Sequence, residues 1–164
     1  MRVVHLLIGG EVAGGQAVAL DLARAARARG DEVSFVSPTP GSFVDRVLGE
    51  GFRVHRVDVS RSFRLRGLTR LARLLRELDA DLLHTHTHPA GNVLGRLAAR
   101  LAGARVISHL HIEAHFRPGP AGVPLRLADT ATARLCARLV AVSEQTREGR
   151  APRPAADNHD PHGR

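Results

Sequence analysis

The chain has 164 residues, a hydrophobic content of 43% and a formal net charge of +8, and all 24 of its basic residues are arginine. Because it holds no apolar run of about 18 residues and a single cysteine, Cys136, the composition excludes a transmembrane helix, an internal disulfide framework and a cysteine metal cluster. The positive charge favours anionic partners, whereas five scattered phenylalanines without tyrosine or tryptophan disfavour nucleic acid.

Short apolar strands alternate with amphipathic helices along most of the chain. Strands are predicted at Arg2–Ile8, Glu32–Ser37, Phe52–Val57, Asp81–His86, Arg105–His111 and Arg138–Val142. Helices are predicted from apolar residues at helical spacing within Ala17–Arg29, Ser42–Gly49, Leu68–Leu78, Pro89–Leu101 and about Leu125–Ala137. This alternation gives a parallel sheet with helices on both faces. The predicted fold class is therefore α/β: a three-layer α/β/α, Rossmann-like domain with a parallel sheet of about six strands.

The end of the chain differs in composition from the rest. Residues 151–164 hold three prolines and no apolar side chain larger than alanine, so they are predicted to be a disordered tail behind a domain at residues 1–150. Ser143 would cap a further helix, but Pro152 interrupts it. This unfinished strand–helix unit favours an interrupted reading frame or gene model over a natural tail.

A glycine-containing loop joins the first predicted strand to the first predicted helix. Gly14 and Gly15, followed by Gln16, would place backbone N–H groups at a helix N-terminus, where partial positive charge binds phosphate and other anions. The loop matches neither the P-loop nor the spacing of a dinucleotide-binding fingerprint. A plain strand-to-helix turn is the alternative, and an anion-binding loop is the interpretation we prefer.

Histidines cluster in and after the fourth and fifth predicted strands. His84, His86 and His88 alternate, so they would share one face if the strand extended that far. A second group follows: His109, His111, Glu113 and His115. Together these groups could hold zinc or iron in a metal-dependent hydrolase. The simpler interpretation assigns no metal and has the histidines line a polar cleft at the strand ends.

A run of arginines surrounds the third predicted helix. Its members precede the first acidic residue of the helix: Arg61, Arg64, Arg66, Arg70, Arg73 and Arg76. A basic amphipathic helix can lie on an anionic membrane surface. The alternative is a helix that packs on its own sheet with a solvated arginine face.

Three segments, in this order and spacing, carry a resemblance to a known family: IGGEVAGGQAVALDLARAARARGDEVSFVSP, DADLLHTHTHPAGNVLGRLAARLAGARVISHLH and ARLVAVSE. Over about residues 1–150 the chain resembles the N-terminal domain of family-4-like glycosyltransferases, which are retaining enzymes of the GT-B fold. The resemblance implies two Rossmann-like domains that face each other across a cleft. The N-terminal domain would mainly bind the acceptor, and the C-terminal domain would mainly bind the nucleotide-sugar donor.

The resemblance also implies roles for individual residues. Gly14, Gly15 and Gln16 would lie near the donor diphosphate or the transferred sugar. His111 matches the active-site histidine that contacts the sugar, and it is the candidate catalytic residue. The candidate substrate-binding residues would face the cleft: His84, His86, Glu113, Ser143 and Glu144.

The expected function is that of a glycosyltransferase N-terminal domain. The full enzyme would transfer a hexosyl unit, with retention, from a nucleotide-sugar to a sugar or lipid-linked acceptor, and would need no further cofactor. The donor-binding second domain has no counterpart in the sequence, so the chain alone is expected to be inactive. A metal-dependent hydrolase and a non-catalytic module that pairs with a separate donor-binding chain remain open. The N-terminus lacks a signal-peptide pattern, which predicts a cytoplasmic protein, peripheral to the membrane if the arginine helix docks there.

Overall fold

The computed structural model describes residues 1–59, 64–110 and 119–141. Within them, six parallel strands form one sheet in the order β3-β2-β1-β4-β5-β6. The strands are β1 (Arg2–Leu7), β2 (Glu32–Ser37), β3 (Arg53–Arg56), β4 (Leu82–His86), β5 (Arg105–Leu110) and β6 (Arg138–Ala141). The helices are α1 (Gly14–Ala28), α2 (Ser42–Gly49), α3 (Arg64–Glu77), α4 (Pro89–Ala102) and α5 (Val123–Ala133). This arrangement confirms the predicted fold class and the number of strands.

Two hydrophobic clusters cover the two faces of the sheet. On one face, α1 and α2 pack over the first strands through side chains such as Leu20 and Phe43, which meet Phe35 of β2. On the other face, α3 and α4 pack through Leu71, Leu75 and their neighbours against Leu83 of β4. Strand β1 is buried on both faces from Val3 to Leu7, which explains its mostly apolar sequence.

Several element boundaries differ from the predicted ones. Helix α1 begins at Gly14, three residues before the predicted start, because the chain turns helical directly after the extended residue Ala13. Helix α5 ends at Ala133 and not near Ala137, since the amide of Ala137 already donates to the carbonyl of Val106 in β5. Strand β3 is shorter than predicted and spans Arg53–Arg56.

The arginines of α3 that the structure describes point away from the sheet. Arg66, Arg70, Arg73 and Arg76 are exposed, while Leu71 and Leu75 on the opposite side of the helix are buried. The helix therefore packs on its own sheet and presents a basic face to solvent; Arg61 lies outside the described residues. Within the described part of the chain, no helix is both long and apolar enough to cross a bilayer.

A buried polar network, which the sequence analysis did not anticipate, links the central strands to α4 and α5. The Arg96 side chain of α4 is 0% exposed, and its Nη1 donates to the Asp129 carboxylate of α5 over 2.8 Å. Its Nε donates to the hydroxyl of Ser108 over 3.0 Å. The Ser108 and Thr85 hydroxyls are 2.9 Å apart, so the network runs without interruption from α5 to β4. The ion pair and the hydrogen bonds hold α5 in one defined position on the sheet, which apolar packing alone would not specify.

Candidate functional site

The carboxyl ends of parallel strands form the edge at which ligands bind in folds of this kind. At this edge, β1 ends at Leu7 beside His86, the last residue of β4. The loop between Ile8 and Ala13 follows β1 and leads into α1. The N-termini of α1 and α4 therefore both open onto the edge that carries the predicted glycine and histidine residues.

The first half of the loop after β1 is anchored to the loop after β2. The buried residue Gly10 donates its amide to the Thr39 hydroxyl over 3.0 Å, and its carbonyl accepts from the amide of Phe43 over 2.8 Å. Glu11 accepts a 2.7 Å hydrogen bond from the hydroxyl of Ser42. Gly10 thus satisfies the first amides of α2, and both loops behave as one structural unit.

The second half of the loop forms the exposed start of α1. Gly14 and Gly15 are the first two helical residues, and they follow Ala13, whose methyl side chain has no atom that could cap the helix. The first turn carries no carboxylate, and a Cβ atom built on Gly14 would meet nothing within 4 Å. Gln16 is buried, and its Nε2 reaches the carbonyl of Gly9 at 3.5 Å. No side chain caps this turn and no carboxylate repels an anion there, so its use as an anion site stays a prediction.

His84 and His86 of β4 share one sheet face, but His88 does not join them. Strand β4 ends at His86, and His88 lies beyond it as the N-cap of α4, where its Nδ1 accepts from the amide of Gly91 over 3.2 Å. The condition for including His88, a strand that extends that far, is not met, because Pro89 begins a helix and turns the chain away from the strand direction.

A different set of histidines meets on the sheet face that carries α1 and α2. His5 of β1 lies directly beside His84 of β4 in the strand register, and its Nδ1 is 3.0 Å from Nε2 of His86. His109 of β5 stacks on His84 with ring centroids 5.5 Å apart. Sequence reasoning missed His5 because it lies 79 residues before His84 and looked like part of a buried strand; only the pairing of β1 with β4 brings them together.

Burial favours the neutral form of two histidines of this cluster, His5 and His109. His5 is 1% exposed, and desolvation, with a smaller repulsion from His84, lowers the pKa of His5 from 6.5 to about 3. Burial also lowers the pKa of His109. Neutral imidazoles have one ring nitrogen that donates and one that accepts, so they can form hydrogen bonds with each other, as His5 and His86 do.

We expect the free energy of unfolding to decrease as the pH falls from about 6.5 towards 3, because of His5. In the unfolded chain His5 takes up a proton near pH 6.5, whereas in the folded chain it does so only near pH 3. The unfolded state therefore binds more protons between these values, and stability falls as the pH falls. The loss from His5 amounts to about 2 kcal/mol between pH 7 and pH 5.

Urea unfolding at the two pH values, with EDTA present, measures this effect. The variant His5→Gln should lose the part of the pH dependence that comes from His5, about 2 kcal/mol, while the part from His109 remains. The explanation is wrong if the wild-type chain and this variant lose the same free energy between pH 7 and pH 5.

Four of the predicted site residues lie outside the described residues: His111, Glu113, Ser143 and Glu144. His115, part of the predicted second histidine group, lies outside them as well. Of the predicted residues that the structure does describe, Gly14, Gly15 and Gln16 lie together in the first turn of α1. His84 and His86 lie together near the end of β4.

Comparisons with known proteins give a family and a fold. The family model described as "Glycosyl transferase 4-like domain" matches residues 13–156. Among solved structures, the chain is similar to Anabaena Alr3699/HepE in complex with UDP, with a TM-score of 0.72, 18% identity, and coverage of 91% of this chain. It is also similar to MurG of Acinetobacter baumannii, with a TM-score of 0.64, 19% identity and coverage of 85%.

The same fold also occurs in a solved structure named as an epimerase. UDP-GlcNAc 2-epimerase from Methanocaldococcus jannaschii matches with a TM-score of 0.61, 12% identity and coverage of 91% of this chain. The chain spans 40% of the HepE and MurG chains and 41% of the epimerase chain. No curated protein matches the sequence significantly.

Proposed function

Because the chain belongs to the family of glycosyl transferase 4-like domains, we propose that it is the acceptor-side domain of an enzyme that transfers a hexosyl unit, with retention, from a nucleotide-sugar. The observation that carries the proposal is the first turn of α1. There, the exposed Gly14 and the half-buried Gly15 would offer amides at the carboxyl edge of the sheet to the diphosphate of the donor.

The turn suits a diphosphate for physical reasons. Amides in the first turn of a helix have no carbonyl partner within the helix, and the helix dipole adds partial positive charge there. Glycine leaves the approach open, since the space over the Cβ position of Gly14 is free within 4 Å. The excess of arginine across the chain adds a long-range attraction for anions.

The histidines complete the proposed site. The half-buried His84 would line the cleft beside the donor, and the buried His86, held in one orientation by its contact with His5, would support it from within the sheet. By the family resemblance, His111 would contact the transferred sugar, and Glu113, Ser143 and Glu144 would bind substrate. In this proposal the chain's own residues orient the donor, and no cofactor besides the nucleotide-sugar takes part.

A proline substitution tests the glycine turn with little change to the fold. Gly14→Pro removes one amide donor at the first helical position, where proline is well tolerated, and Ala13 already has the extended backbone that precedes a proline (φ −149°, ψ 168°). Loss of one hydrogen bond to a charged group should weaken UDP and pyrophosphate binding about tenfold. Gly14→Ala keeps the amide and is the matched control.

NMR titration of the isolated chain provides the readout. UDP and inorganic pyrophosphate should each shift the amide resonances of Gly14, Gly15 and Gln16, whereas glucose should not. If Gly14→Pro binds UDP as tightly as Gly14→Ala does, the diphosphate does not bind at this turn and the proposal fails.

An epimerase domain is the second candidate, because the same fold occurs in UDP-GlcNAc 2-epimerase. Both candidates predict that UDP binds at the α1 turn, so that titration does not separate them. Joining the chain to a donor-binding domain and incubating the product with a UDP-sugar does. Release of UDP that depends on an acceptor supports the transferase, whereas interconversion of the sugar without an acceptor supports the epimerase.

We also propose that the acceptor is membrane-associated and that the protein works at the cytoplasmic face of the membrane. The exposed arginines of α3 support this, since each basic residue near an acidic surface contributes about 1 kcal/mol of attraction. The double variant Arg70→Gln/Arg73→Gln should bind vesicles rich in phosphatidylglycerol about 30-fold more weakly. Equal binding by this variant and the wild-type chain in a vesicle flotation assay would contradict membrane docking through α3.

A further inference from the structure

The histidine cluster has the composition of a metal site. One ring nitrogen from each of His5, His84 and His86 lies within 4.8 Å of the corresponding nitrogen of the other two. His5 and His86 are 1% and 2% exposed, so their rings are held inside the fold rather than at its surface. The sheet fixes the positions of these nitrogens. His5 and His84 are paired in the β1–β4 register, and His86 is the last residue of β4.

The spacing is close to that of a tetrahedral site. Zinc–nitrogen bonds of about 2.0–2.1 Å place neighbouring ligand nitrogens about 3.3 Å apart. Nδ1 of His5 and Nε2 of His86 are already 3.0 Å apart, so an ion could take the place of the proton between them after small changes of the side-chain angles. His5 has a further option, because its Nε2 has no hydrogen-bond partner within the described residues.

The surroundings suit a divalent cation of borderline softness. Imidazole nitrogen is a common ligand of zinc, and a neutral ring is the form that coordinates. The burial that depresses the pKa of His5 holds that form ready at neutral pH. His109 packs against both His84 and His86, with ring centroids 5.5 and 5.4 Å away, and would order the rings from the β5 side.

We propose that His5, His84 and His86 bind a zinc ion that joins β1 to β4 beneath the carboxyl edge of the sheet. His84 is half-buried, so it is the ligand of the three that lies nearest to solvent. A fourth position remains for water. The ion would act on the structure of the sheet, since the two strands that it joins are the central pair. This site differs from the predicted hydrolase site, which used His88 and lacked His5.

Cobalt titration of the full chain tests the proposal. After treatment with EDTA, Co²⁺ is added and the visible absorption of tetrahedral cobalt is followed, and Zn²⁺ is then added as competitor. We expect one ion per chain at this site and a rise in melting temperature with Zn²⁺. His84→Gln, a change at a half-buried position, should weaken binding at least tenfold and remove the thermal effect. His55→Gln on β3, far along the sheet, should change neither.

The other histidines of the chain make the control essential. If His84→Gln binds cobalt with wild-type affinity, the ion is held elsewhere and the proposal is overturned. A second readout does not depend on any variant. Zinc should shift the ring ¹⁵N resonances of His5, His84 and His86 in the wild-type chain, and unchanged resonances at saturating zinc would also overturn the proposal.

Discussion

Replacement of Arg96 by alanine is expected to lower the free energy of unfolding by about 3–5 kcal/mol. Arg96 and Asp129 are 0% and 4% exposed, and their 2.8 Å ion pair joins α4 to α5. The substitution would leave the Asp129 carboxylate buried without its positive partner and would leave a cavity in place of a long, fully buried side chain.

Chemical unfolding followed by circular dichroism measures the effect. Arg100→Ala, an exposed arginine on the same helix, is the matched control and should change stability by less than about 0.5 kcal/mol. The double variant Arg96→Met/Asp129→Leu should recover much of the loss, because apolar side chains of similar size need no charge partner. Equal losses in Arg96→Ala and Arg100→Ala would show that the buried pair does not stabilise the domain.

Gly10→Ala is expected to lower the free energy of unfolding by about 3 kcal/mol, whereas Gly14→Ala should leave it unchanged or raise it by up to about 1 kcal/mol. A Cβ atom on Gly10 would collide with the backbone carbonyls of Thr39 and Pro40, which cannot rotate away as a side chain could. The same atom on Gly14 would enter open space in the first turn of α1, where alanine is the better helix former.

The pair separates two roles that look alike in the sequence. Gly10 belongs to the contact between the loops after β1 and β2, and its carbonyl accepts from the amides of Phe43 and Val44. Urea unfolding of both variants, with an NMR spectrum to locate the change, decides the matter. The packing argument fails if Gly10→Ala is as stable as Gly14→Ala.

The sheet could be predicted from the sequence because its information is local. A strand buried on both faces, such as Arg2–Leu7, has an apolar sequence, and the helix that follows repeats apolar residues every three or four positions. The order of the strands was not predicted, because the right-handed rule fixes the hand of each crossover and not which strands become neighbours. The start of α1 was misplaced because glycines are poor helix formers, although the first turn tolerates them.

The pairs that matter most at the site and in the core could not be predicted in this way. Arg96 looks like one more arginine of an arginine-rich helix, and its partner Asp129 lies 33 residues further along the chain. The same holds for His5, which lies far from His84 and His86 in the sequence and contacts them only in the folded sheet. The spacing of residues along the sequence indicates which face of an element a residue occupies. Which residue it contacts there depends on how the elements pack in the folded protein. The roles of His111, Glu113, Ser143 and Glu144 stay predictions.

The central position of β1 has a consequence for how the domain folds. β1 pairs with β2 on one side and with β4 on the other, and the contact between His5 and His86 spans 81 residues. Closing so long a loop costs chain entropy before any contact repays it, and folds rich in distant contacts assemble slowly. We therefore expect β1, β2 and β3 to associate early during synthesis. The histidine cluster cannot form until β4 has been synthesised and has paired with β1.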